Sequence, residues 1–353
     1  MVELTRAEVI RRRLAAQLLS VRGLASAGDV VRSFGAVQAQ DYAGAKWALG
    51  QRVRSATDAS VEREMAEGRF IRTHVLRPTW HFVAPEDVRW MLALTGPRVS
   101  RVIGRYNVEF DLSERTLSRG VDAMARALEG GKHLTREELA AALERARLGP
   151  AKGMRLVRQV MTAELSAVIC SGARRGKQFT YALLDERVPA APPLDRDESL
   201  ARLARAYFAS HGPATQQDFA WWSGLTISDA RQAVGLVGHE LAHATFEGRD
   251  VWFADAPLRR AKPVAHLLPN YDEFFIGHKD RTAIGGRTKG VGLITGGDGS
   301  VVNVITVNGE LVGGWKRGAA PGDVNLRITA KVTAAERALI AAQVRRFAAF
   351  HGR

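Results

Sequence analysis

Gln38 and Gln40, separated only by Ala39, form the chain's most chemically suggestive pair. Two carboxamides cannot deprotonate water. Each both donates and accepts hydrogen bonds, so a pair aimed at one point can orient a water molecule. That suffices only where little base strength is needed. Cleavage of the glycosidic bond of an N7-alkylated guanine is such a reaction. The base already carries positive charge, leaves neutral, and exposes an oxocarbenium-like sugar that a placed water can capture. The same spacing suits two solvent-facing amides near a helix end. Residues 27–40 read as a helix, and a short turn at its end would project both amides into one cleft.

His239-Glu240-Leu241-Ala242-His243 offers a second chemistry, because H-E-x-x-H on a helix places two zinc ligands one turn apart with a carboxylate between them. The competing reading ends the preceding helix at Gly238 and starts a strand near residue 243, which separates the two histidines. His74 and His81 flank a strand-like segment and could touch DNA or an active site, or be packed or solvated hairpin residues. Cys170 reads as a core residue on an apolar helix face, and Trp221-Trp222 as packing between helices.

The elements that must position these residues recur along the chain. Residues 4–19, with Thr5 as N-cap, then 27–40, 43–53 and 59–67 read as helices. Residues 70–83, with Arg77-Pro78 in the middle, read as two strands and a short connection. Residues 133–148 begin a similar outline with Thr135 and Glu138 at capping-box spacing. A second helix stopping at Gly172 and a strand at 178–184 follow. A third outline starts near Asp197 and runs helix, short helix, helix, then a hairpin at 244–254. These repeats predict three tandem winged helices over residues 1–85, 86–190 and 191–262. Residues 188–197, with three prolines, read as a linker. Residues 263–353 read as a β-rich region with an Asn308-Gly309 turn, closed by an amphipathic helix at 334–350. The predicted fold class is therefore mainly α with β-hairpin wings (α+β), plus a C-terminal β-containing region.

The 353 residues carry 51 Lys and Arg against 37 Asp and Glu, a formal charge of +14. Such a surplus points to a polyanionic partner, and nucleic acid is the commonest one. Solubility and a compositional bias toward Arg are the competing explanation. A single cysteine excludes an intramolecular disulfide and a thiolate zinc cluster. There is no signal-peptide pattern and no long apolar run, so a cytoplasmic protein without a membrane partner is expected.

The stretches AVQAQD, RPTWHFV, LPNYDEFFIGHKDR and GGWKR together resemble the winged-helix DNA-binding family that includes the azinomycin-resistance DNA glycosylase. The resemblance runs from about residue 4 to residue 350, and the Gln-x-Gln and YDEFFIGHKDR elements are its most specific parts. It implies three tandem winged helices in a C-shaped arrangement that holds duplex DNA. It implies that Gln38 and Gln40 place the attacking water, and that bulky N7-alkylpurines or interstrand crosslinks are excised for repair or self-resistance. A sister branch has Asp at the second position, so Gln40 points to the bulky-adduct branch. Within residues 271–281, Asp272, Asp280 and His278 either support the Gln pair and the sugar charge or form an internal cluster that holds the β-rich region. Lys279, Arg281, Arg77, Arg287 and Lys289 are the expected phosphate contacts. Loops at 287–290 or 296–300 are candidates to enter the minor groove.

The expected function is a monofunctional DNA glycosylase acting on double-stranded DNA with an alkylated purine. It would need no metal or organic cofactor and would work as a monomer without an obligate protein partner, nucleoid-associated in the cytoplasm. A non-catalytic winged-helix DNA-binding protein, acting as regulator or adduct shield, is the alternative, and a zinc hydrolase is a third.

Overall fold

Thr5, Thr135, Thr226 and Thr333 each open a helix with a reciprocal cap. The Thr hydroxyl accepts from the backbone three residues on, and Glu8, Glu138, Asp229 or Glu336 reaches back to the Thr N–H. Each box satisfies two N–H groups that a helix start leaves unpaired. The computed structural model describes residues 2–21, 23–258, 262–285, 287–288 and 303–352. Lys289 and the expected groove-entering loop at 296–300 lie outside the described residues, as does residue 290 of the loop at 287–290. The architecture is a mixture of helices and strands, organised as two units.

The first unit comprises residues 1–62, 200–222 and 226–353. Its four-stranded antiparallel sheet orders the strands Val324–Ile328, Glu310–Arg317, Val304–Val307 and Ala265–Leu268. Asn308 and Gly309 join the two middle strands with φ of 52° and 81°, the twisted turn that Asn-Gly favours. Trp47 from the helix Tyr42–Arg52 donates its indole N–H to Leu267 O at 2.7 Å, and Trp315 donates to Leu268 O at 2.9 Å. Phe347 and Phe350 of the C-terminal helix Ala334–Phe350 pack edge-on against Trp47. These fully or nearly buried rings fix the strand that leads into residues 269–281. A separate apolar cluster joins Leu4 and Val9 to the hairpin Ala242–Phe246 and Arg249–Phe253.

The second unit comprises residues 63–199 and 223–225. It holds the hairpin Ile71–His74 and Trp80–Val83, in register Thr73 with His81. Helices Glu114–Leu128, Arg136–Arg145 and Gly153–Leu165 pack around Met124, Leu128, Leu139 and Leu143. A small sheet orders Leu134–Thr135, Thr180–Leu183 and Ile169–Ser171. No helix among the described residues is long and apolar enough to cross a membrane.

Two expected helices stop early. The helix read over 27–40 ends at Phe34, and Ala36–Gln38 is a strand. Gly35, with φ of 76°, breaks the helix where a side chain would be strained. The helix read as running to Gly172 ends at Leu165. Ala167 takes φ of 56°, and Ile169–Ser171 then forms a strand. Cys170 is buried as expected, but on that strand, where burial pushes its thiol up to about 12.

Candidate active site

Gln38 closes its strand and is buried, whereas Gln40, two residues on, is exposed. The strand stops at Gln38, and the chain bends at Gln40 before the next helix begins. Asp41 then caps the next helix by accepting from Gly44 N at 3.1 Å, and pairs with Arg317 at 2.9 Å. A Cβ at Gly44 would stand 3.1 Å from Pro269 Cβ and 2.7 Å from Asp41 Oδ2. Glycine therefore lets the turn at 269–272 pack beside the start of this helix.

That turn brings in the residue that holds Gln38. The Gln38 N–H donates to Glu273 Oε1 at 2.6 Å. Glu273 Oε2 accepts from Trp222 Nε1 at 2.9 Å and from His211 Nε2 at 3.2 Å. The carboxylate is 1% exposed. A charge so buried is tolerated only with close donors on both oxygens. Behind it, His211 stacks on Tyr207 at 4.7 Å, and Tyr207 OH donates to Gly277 O at 2.9 Å. A Cβ at Gly277 would overlap the His211 ring. Tyr271, with φ of 65°, turns the chain so that Asp272 and Glu273 both enter the interior.

Asp272 is buried in an internal cluster. It caps the short helix Glu273–Ile276 through Phe274 N. It also binds Arg52 with both oxygens, at 2.8 and 2.9 Å. Arg52, 2% exposed, donates further to Gln17 and Ala48. Asp280 pairs with Arg249 at 2.7 Å and accepts from Thr282. Partial burial works to raise its carboxyl, but the Thr282 hydrogen bonds and Arg249 outweigh it and hold it low. His278 donates through Nε2 to His211 O at 2.8 Å. Burial, helped by Arg13 and His211, holds its imidazole neutral, well below the usual range.

The expected phosphate contacts divide. Lys279 is tied through its backbone N–H to Asp218, and its side chain is exposed. Arg281 lies over the Phe275 ring and donates to Phe275 O, and burial lowers its guanidinium. Arg287 binds Glu336 at 2.7 and 3.2 Å and Lys331 O at 2.6 Å. Arg77 is half-buried in the hairpin connection of the second unit. In that unit His81 donates through Nδ1 to Thr79 O at 2.9 Å, which leaves Nε2 as an acceptor without a hydrogen-bond partner among the described residues. Burial keeps it neutral, well below its ordinary range. His74 pairs with Glu164.

The H-E-x-x-H stretch is split. The helix Ile227–Val237 ends before it, His239 and Glu240 sit on a 3-10 turn, and His243 is on a strand. Glu240 binds Arg205 with both oxygens at 2.7 Å, while His243 pairs with Asp250 and stacks on Trp252 at 4.8 Å. The two Trp residues also separate, since Trp222 is buried and Trp221 is 44% exposed. The residues that sequence reasoning left without a role are Glu273, His211 and Arg52, and Trp222 adds a hydrogen bond to Glu273 to the packing expected of it. A readable signal existed for Glu273: a carboxylate followed at once by Phe274-Phe275-Ile276 must enter an apolar interior and needs donors there.

Residues 31–350 match the profile of a family described as DNA glycosylase AlkZ-like. The chain is 25% identical over 329 residues to an interstrand DNA cross-link repair glycosylase of Streptomyces sahachiroi, covering 88% of this chain and 87% of that protein. Its fold is similar to the solved structure of the Streptomyces sahachiroi DNA glycosylase AlkZ, with a TM-score of 0.82 at 23% identity, over 99% of this chain and 98% of the other.

Proposed function

The chain belongs to the AlkZ-like DNA glycosylases, hydrolases of the N-glycosidic bond, and we propose that it excises N7-alkylated purines from double-stranded DNA with Gln38 and Gln40 as the catalytic pair. The observation that carries this reading is the buried Glu273 carboxylate gripping the Gln38 N–H at 2.6 Å. A water-orienting amide contributes only if its own position is fixed before the substrate arrives.

In the proposed reaction the glycosidic bond between C1′ and N9 breaks, and its electron pair neutralises the cationic alkylpurine. The Gln38 and Gln40 amides hold a water against the face of the sugar. Its oxygen bonds to C1′ as positive charge develops there, and its proton passes to solvent. An abasic site and a free base result. Glu273 is a positioning residue, acting on the reaction through Gln38. The Arg52–Asp272 pair holds the turn that delivers Glu273.

Bulky adducts and crosslinks are the proposed lesions, because Gln rather than Asp stands at position 40 and a curated relative is named for crosslink repair. We read residues 1–85, 86–190 and 191–262 as winged helices and place the enzyme with the DNA in the cytoplasm as a monomer. Lys279 and Arg77 are the proposed phosphate contacts. The test is excision from duplex oligonucleotides carrying N7-methylguanine or a bulky N7 adduct. Faster excision of the bulky adduct is expected. Tight binding of both without excision would instead support an adduct shield.

A further inference from the structure

Within the 63–199 unit lies a cavity of about 370 Å³ that the catalytic reading does not use. One wall is a stack of planar groups. In the lining, the Arg72 guanidinium lies 4.4 Å from the Trp80 ring and 4.6 Å from Phe179; outside the lining, His74 lies 4.3 Å from Trp80 and Arg174 5.0 Å from Phe179. Strand pairing sets part of this order, because His74 stands directly opposite Trp80 in the hairpin. Arg72 is 7% exposed, clamped between two rings. Arg136, Lys177 and Gln178 also line the cavity, with Glu137 as its carboxylate.

The lining sets the chemistry of the occupant. Aromatic rings beside a guanidinium in the lining favour a flat aromatic group, and a surplus of cations favours an anion attached to it. Gln178 can meet a polar ring edge with both a donor and an acceptor. The volume is in the range of pockets that enclose small ligands, roughly 300–1,000 Å³. A paired base in a duplex is covered on both faces by its neighbours and cannot enter. An unpaired nucleotide can.

We propose that this cavity holds one unpaired nucleotide of the DNA, its base against Trp80 and Phe179 and its phosphate on Arg136 and Lys177. The inference rests on DNA being the substrate of this chain. A bulky adduct that breaks a base pair supplies such a nucleotide, so the pocket would favour distorted over intact duplex before any bond is cleaved.

The test uses the full chain and unmodified DNA. Fluorescence anisotropy compares a fully paired duplex with the same duplex carrying a single-nucleotide bulge. The wild type is expected to bind the bulged duplex about tenfold more tightly. Lys177→Gln with Phe179→Leu should cut that preference to about twofold or less, while affinity for paired duplex falls by about threefold at most, as for one lost phosphate contact. Phe179→Tyr keeps the ring and should keep the preference. Circular dichroism confirms that each variant is folded. Absence of a bulge preference in the wild type, or its survival in the double variant, would overturn the proposal. Excision of an N7-alkylguanine is assayed in parallel. Excision without bulge preference defeats this inference alone, and bulge preference without excision defeats the catalytic reading alone.

Discussion

Two helix-to-strand transitions in this protein carry short polar motifs. At the first, the helix Ala27–Phe34 runs through Gly35 into the strand that ends at Gln38. At the second, the helix Ile227–Val237 runs through a 3-10 turn bearing His239 and Glu240 into the strand bearing His243. The first is braced from far along the chain, by Glu273 and through it by Trp222 and His211. The second is served by side chains at the surface, with Glu240 on Arg205 and His243 on Asp250. A motif is ready for chemistry when the interior holds its geometry. One whose partners are exposed side chains can turn to any of them, and its ion pairs contribute little.

Removing the brace should therefore cost far more than removing the surface motif. The largest effect on stability is expected from Asp272→Ala, which strands the Arg52 guanidinium in the interior. Urea unfolding should show a loss of about 3–5 kcal/mol. Glu273→Gln keeps the shape but sets an amide N–H₂ against some of three donors. About 1–3 kcal/mol should be lost, with excision slowed more than DNA affinity. Equal losses of rate and affinity would make Glu273 a fold residue only.

The interior also predicts a pH dependence. His81, His266 and His278 are buried with imidazoles held below their usual range, His266 at about 4. The unfolded chain binds protons below about pH 6.5 that the folded state refuses. Stability is then full above that pH and falls as the pH drops, by about 1.4 kcal/mol per unit for each such histidine. Urea midpoints measured between pH 7 and 5 should fall, and His266→Gln should flatten the slope. The smallest effect belongs to the surface motif. Glu240→Ala and His243→Ala should leave the midpoint and excision unchanged, as should a zinc chelator. A chelator-sensitive activity would reverse the comparison.

Local rules were legible in the chain. Thr5 and Thr135 cap helices where their spacing places them, Asn308-Gly309 turns its hairpin, and the zinc-like motif loses its helix at Gly238. The strand at the Gln-x-Gln pair was not legible, because Gly35 competes with a run of residues that tolerate a helix. Contacts across long separations were not legible. Gln38 and Glu273 are 235 positions apart, and Arg52 and Asp272 are 220 apart. No periodicity or spacing connects them. Only the cost of burying a carboxylate beside Phe274 and Phe275 indicates that a partner exists, and it does not say which.

Gln38 is proposed to act on the bond-breaking step from a pre-set position. Single-turnover excision of an N7-alkylguanine from duplex DNA, by wild type and Gln38→Ala, tests it most directly when DNA affinity is measured alongside. Gln38→Ala should lower the rate by about 10²–10³-fold, the scale of losing one pre-organised polar group, with Kd within about twofold. Undiminished excision by Gln38→Ala, or a loss explained wholly by weaker binding, would contradict it.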